Sequence, residues 1–139
     1  MRFPVRWAIL LGGALTLAAC VTAPPTPAPV SDNVAVRALV DQADADSQAG
    51  RLDNAVAGLE RALRIEPKNP RLWLALARQR FLQGDAAQAE QLAERALSWS
   101  GDDRELRAAG WRQIAEARAA RGDAAGAREA DERARGYAH

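Results

Sequence analysis

The chain of 139 residues holds one cysteine, one histidine and one lysine. One cysteine closes no internal disulfide, so any core must hold by packing alone. The histidine is His139, the last residue. Alone it supplies neither a histidine-based metal site nor a catalytic dyad. There is no Gly-rich phosphate loop and no carboxylate pair, and Ser47, Ser98 and Ser100 have no base to activate them. A net charge of +1 lacks the basic excess of an electrostatic nucleic-acid binder. These absences argue against an enzyme, a metal, a cofactor or a nucleic-acid partner. Aromatic residues number only seven, whereas alanine supplies 33 positions and arginine 18. The length suits one domain.

The opening residues read as an address. Arg2 and Arg6 are the only charges before residue 20, and Trp7 to Leu17 is uncharged and mostly apolar. Such a run suits the core of a signal peptide but falls short of the roughly 20 residues that span a bilayer. Leu17-Ala18-Ala19-Cys20 follows, and it resembles the lipobox of bacterial lipoproteins. That resemblance implies cleavage between Ala19 and Cys20, lipidation (palmitate included) on Cys20, and a membrane partner reached through the lipid. Several acyl chains anchor stably where one does not. Val21 replaces the Asp that retains many such proteins in the inner membrane, which implies the periplasmic face of the outer membrane. A thiol buried near the end of a membrane anchor is the plain alternative for Cys20. Removal of residues 1–19 takes two arginines with it and brings the net charge to −1.

Residues 20–35 read as a tether. Pro24, Pro25, Pro27 and Pro29 alternate with small residues, a composition that favours extended polyproline II geometry and a reach of roughly 45 Å. It is expected to hold a folded domain away from the membrane. A polyproline ligand is the alternative, but no basic residue flanks the prolines.

Residues 36–139 are helix-favouring and self-similar. Gln83-Gly84-Asp85-Ala86-Ala87-Gln88-Ala89 returns as Arg121-Gly122-Asp123-Ala124-Ala125-Gly126-Ala127, and Ala49-Gly50-Arg51-Leu52-Asp53-Asn54-Ala55 is a weaker copy. Gly50 and Gly84 are 34 residues apart; Gly84 and Gly122 are 38 apart. The four extra residues fall between Ala96 and Trp111, about one helical turn, so they lengthen a helix without rotating its buried face. Each copy predicts helix, Gly turn, helix, with Asp53, Asp85 and Asp123 as N-caps. Asn69 and Pro70 predict a cap and first helical residue, and Asp102 with Glu105 a capping box.

These residues resemble the tetratricopeptide repeat. The middle copy carries Trp73, Leu76, Ala77, Ala89 and Ala96; the first, Leu39, Ala43, Ala55, Leu59, Ala62 and Pro67; the last, Trp111, Ile114, Ala115, Ala127 and Ala134. Asp46, Arg80 and Arg118 stand where the signature has Tyr, Asp131 where it has a large apolar residue, and Gly101 replaces the second terminal Pro. The expectation is an all-α solenoid of three helical hairpins at about 36–69, 70–103 and 104–136. The polar last helix serves as a solvating cap, with docking of a partner or a second copy of the chain as the alternative.

The resemblance implies a binding groove lined by the first helix of each repeat. Extrapolated along those helices, the exposed candidates are Arg37, Asp44, Gln48, Arg71, Leu74, Arg78, Phe81, Arg112 and Glu116. A solvated basic face, with Phe81 packed on the next repeat, is the bland alternative. Val40 and Asp44 occupy the start of the Lys/Asn clamp by which chaperone-binding members hold a C-terminal carboxylate, which argues against that ligand. Trp99 reads as packing under the longer turn or as an exposed anchor.

Among lipid-anchored members, the run Leu59 to Pro67 (LERALRIEP) and Trp111 to Ala115 (WRQIA) look most like activators of class A penicillin-binding proteins. These partners are inner-membrane enzymes that polymerise and cross-link peptidoglycan. A pilotin-like assembly factor for a secretin or pilus complex, and a structural envelope scaffold, are the alternatives.

Overall fold

In the computed structural model, the described residues are 29–138. The leader, Cys20 with its cleavage site, and most of the tether lie outside them. Six helices follow one another: α1 (Val34–Gln48), α2 (Leu52–Ile65), α3 (Pro70–Leu82), α4 (Ala86–Trp99), α5 (Arg104–Ala120) and α6 (Ala124–Ala138). They pack as the hairpins α1–α2, α3–α4 and α5–α6, each also resting on the next hairpin. The architecture is therefore all-α and tetratricopeptide-like among the described residues.

The turns show why the chain breaks where it does. The backbone reverses through a left-handed glycine at Gly84 (φ 86°) and Gly122 (φ 83°), a conformation other residues resist. The next residue then caps the following helix: Asp85 accepts from the Gln88 N–H and Asp123 from the Gly126 N–H. After Gly50 that position is Arg51, which has no capping bond, while Asp53 lies inside the first turn of α2. The expected Asp53 cap is thus corrected, because the weaker copy carries its acid two residues late. The expected capping box does not form: Asp103, not Asp102, is the cap and accepts from the Leu106 N–H at 3.0 Å, which puts Leu106 rather than Glu105 at the position the box requires. Asn69 caps α3 as expected, with Pro70 in the first turn.

Helix α5 has 17 residues against 13 in α3, which is where the four-residue insertion goes. The first helix starts at Val34, two residues before the expected domain boundary. Asn33 accepts from the Ala35 and Val36 N–H groups, so the helix begins at its cap rather than at the first repeat letter.

Small residues let the helices approach closely. Val36, Val40, Ala43, Leu59, Ala62 and Leu72 are buried in a first core that joins α1, α2 and α3. Ala77, Ala93, Ile114 and Ala130 form a second across α3 to α6. Large side chains fill what alanine leaves: Leu59, Leu72 and Ile114 are fully buried, each contributing about 1.5–3 kcal/mol. Helix α6 buries only Ala130 and Ala134. Its exposed face carries the i,i+4 pairs Arg133–Glu129 and Arg135–Asp131, which suits a helix that closes the stack against water.

The three positions that depart from Tyr all make ion pairs. Asp46 meets Arg51 at 2.7 Å, Arg80 meets Glu60 at 3.1 Å, and Arg118 meets Glu90 at 2.7 Å. The last two link a repeat to the second helix of the one before it. Glu90 also takes Arg121 at 2.7 Å, and its side chain is only 12% exposed. The Glu90 carboxylate raises the pKa of Arg118 above the ordinary guanidinium value. Ion pairs here replace an aromatic wedge between repeats.

Candidate functional site

The first helices α1, α3 and α5 lie side by side and enclose two adjoining hollows that share Arg78. One, of about 260 Å³, lies between α1 and α3 and is lined by Asp44, Ser47, Gln48, Arg78 and Gln79. The other, of about 360 Å³, lies between α3 and α5, where Arg78, Phe81 and Leu82 face Arg112, Gln113 and Glu116. Together they form one groove across all three repeats.

Asp44, Arg78, Arg112 and Glu116 make no ion pair among the described residues. Arg112 and Glu116 are four apart on one helix and still do not pair; the order base-then-acid is the weaker one on a helix. The groove thus offers two guanidinium groups and two carboxylates to an incoming chain. Its apolar share is Phe81, half-buried against Ala86, Ala89 and Ala117, and Leu82, which is 50% exposed. Two further atoms lack partners. Gln79 Oε1 and Gln113 Nε2 are buried and without a hydrogen bond, an acceptor and a donor that cost free energy until something pairs them. A peptide main chain carries both complements.

Of the expected groove residues, the structure brings together Asp44, Gln48, Arg78, Phe81, Arg112 and Glu116. Three are placed elsewhere. Arg37 turns back to donate to the Ser31 and Asp32 carbonyl oxygens, at 3.1 and 2.9 Å. Arg71 pairs with Asp103 at 3.6 Å across the α4–α5 turn. Leu74 packs half-buried against the second core. Arg37 is drawn to the segment just before its own helix, whereas Arg71 and Leu74 are taken by neighbours distant in sequence. Ser47, Gln79, Leu82 and Gln113 line the groove as well, although a hydroxyl, two amides and a lone leucine carry no groove signature in the sequence. Val40 is buried, so the clamp position it occupies points into the core. Trp99 is 42% exposed, with the Lys68 ammonium 5.2 Å from its ring centre.

Among the described residues no cluster could hold a metal ion, and no helix is long and apolar enough to cross a membrane. A stack of helical hairpins with an unpaired, mixed-charge groove over its first helices defines a protein-interaction scaffold.

Comparison with known proteins agrees. A tetratricopeptide-repeat family model matches residues 47–110, from the end of α1 into α5. The globular C-terminal domain of LpoP from P. aeruginosa superposes with a TM-score of 0.74 at 43% identity, over 76% of this chain and 99% of that one. The chain belongs to the tetratricopeptide-repeat family, and to the branch of it that includes the LpoP domain. The Sgt2 tetratricopeptide domain from Aspergillus fumigatus shares the fold, with a TM-score of 0.69 at 23% identity over 81% of this chain and 72% of that one. No curated protein sequence matches.

Proposed function

We propose that this chain is an outer-membrane lipoprotein of the periplasm that seats a segment of a class A penicillin-binding protein in its groove and stimulates glycan polymerisation. The carrying observation is the 43% identity to the LpoP domain over 99% of that domain's length. It joins the resemblance of Leu59–Pro67 and Trp111–Ala115 to synthase activators. The groove supports the reading chemically: Arg with an aromatic neighbour is the usual composition of an interface hot spot, and Arg78 and Phe81 supply it. Cys20 is the proposed lipid attachment, and the proline run the spacer that lets the domain reach its partner.

The test is reconstitution of the full-length lipoprotein with the cognate synthase. The rate of glycan-strand polymerisation should rise on addition of the wild-type chain and stay near basal with Arg78→Glu. No stimulation by the wild-type chain, with a secretin co-purifying in its place, would overturn the reading in favour of an assembly factor. Cys20→Ala should release the protein from the membrane fraction; retention would contradict the lipid assignment.

A further inference from the structure

A second cleft lies among α2, α3 and α4 and shares no lining residue with the groove. It has a volume of about 560 Å³. Its floor is apolar: Leu63 and Leu76 are buried, Leu92 and Trp73 half-buried. The Trp73 ring is held in place, because its Nε1 donates to the Pro67 carbonyl at 2.9 Å and the Arg95 guanidinium stacks 5.2 Å from its ring centre.

Around that floor stand Arg64, Arg80 and Arg95 against one acid, Glu60. Glu60 is taken by Arg80. Arg64 and Arg95 make no ion pair among the described residues, so the rim keeps two uncompensated positive charges. Two polar atoms of the lining are also unsatisfied: Arg80 Nε, a donor, and Gln88 Oε1, an acceptor, are buried without hydrogen bonds. A main-chain carbonyl and a main-chain N–H are the complements.

We infer that this cleft is a second docking site, and that its occupant is an extended, acidic segment of a partner protein. One large apolar side chain of that segment rests on Leu63, Leu76, Leu92 and Trp73. Carboxylates beside it pair with Arg64 and Arg95, and its backbone satisfies Arg80 and Gln88. The proline run of this chain is the alternative occupant, but its sequence holds no carboxylate before Asp32. The inference does not depend on the proposed synthase partner, because it concerns a different face.

The test is selection of displayed random heptapeptides on the full-length chain in detergent, followed by affinity measurement on the enriched peptides. The expected class combines Leu, Ile or Trp with an adjacent Asp or Glu. Its affinity should fall at least about tenfold with Arg64→Glu/Arg95→Glu and several-fold with Gln88→Ala, and stay within about twofold with Arg78→Glu. Arg64 and Arg95 are exposed, so the double variant should stay folded, its melting temperature lowered only slightly by loss of the Arg95–Trp73 stacking. Enrichment of only basic peptides, or of peptides whose binding depends on Arg78 and not on Arg64 and Arg95, would overturn the inference. So would a marked gain in affinity on deletion of residues 21–28, which would make the proline run the occupant.

Discussion

The Ser31 hydroxyl donates to the Glu66 carboxylate at 2.6 Å, a bond between residues 35 apart in the chain. Asn69 joins them, donating to Glu66 at 2.7 Å and to the Val30 carbonyl at 2.9 Å. The end of the tether is therefore fastened to the α2–α3 turn before the first helix begins. Ser31→Ala should lower stability by about 1 kcal/mol, read as a shift of the urea midpoint at constant slope. A fragment starting at Asn33 should lose at least as much relative to one starting at Pro29.

The same contact sets an acid limit. Hydrogen bonds from Ser31 and then Asn69 hold the Glu66 carboxyl below its ordinary value of 4.5. Gln42, followed by Arg51, does the same for Asp46 below 3.8. A carboxyl whose pKa is depressed by folding stabilises fully above its unfolded value and loses that contribution as pH falls through the folded value. Stability should thus decline as pH drops below about 4.5. Ser31→Ala should flatten part of that decline, as denaturation at pH 7 and at pH 3.5 would show; an unchanged slope would contradict the assignment.

The ion pairs differ in worth by their burial. Glu90→Ala leaves Arg118 and Arg121 without their shared carboxylate and should cost about 2 kcal/mol. Glu129→Ala breaks only the exposed pair with Arg133 and should cost about 0.5 kcal/mol or less. Thermal melting of the two variants side by side checks the contrast.

Two buried glycines should respond in opposite directions to alanine. A Cβ at Gly110 would meet Leu97 Cδ2 at 2.6 Å and Cγ at 2.9 Å, so Leu97 must move. The gain in helix propensity offsets part of that, leaving a net loss of about 1 kcal/mol. At Gly58 the nearest atoms, Ala43 Cβ and the Leu39 carbonyl oxygen, lie at 3.4 and 3.5 Å. That is ordinary contact, and Gly58→Ala should stabilise by about 0.5 kcal/mol. Equal effects at the two sites would mean that α4 and α5 pack less tightly than described.

Much of this architecture was legible because it repeats. The 34- and 38-residue spacings located every hairpin, and the four-residue excess reappeared as the longer α5. Caps were less legible wherever two candidate acids adjoin, as at Asp102 and Asp103, or where the copy drifts, as at Arg51 and Asp53. The groove was half legible. Helical spacing placed Arg78, Phe81, Arg112 and Glu116 on one face, but it gave no hint that Arg37 would be drawn to the Ser31 and Asp32 carbonyls or Arg71 to Asp103. Those partners belong to turns whose paths depend on the tertiary fold. Gln79 and Gln113 were invisible for another reason, since an amide becomes informative only once its surroundings leave it unpaired.

If the groove of α1, α3 and α5 seats the synthase, as proposed, its free guanidinium groups carry the affinity. The most direct measurement is the affinity of the cognate class A penicillin-binding protein for the full-length chain, compared with its Arg78→Glu/Arg112→Glu variant. Both residues are exposed and unpaired, so the variant should keep its helicity and melting temperature. At least a tenfold loss of affinity is expected, with folding unchanged. Equal affinity for the two proteins would contradict the proposed seating.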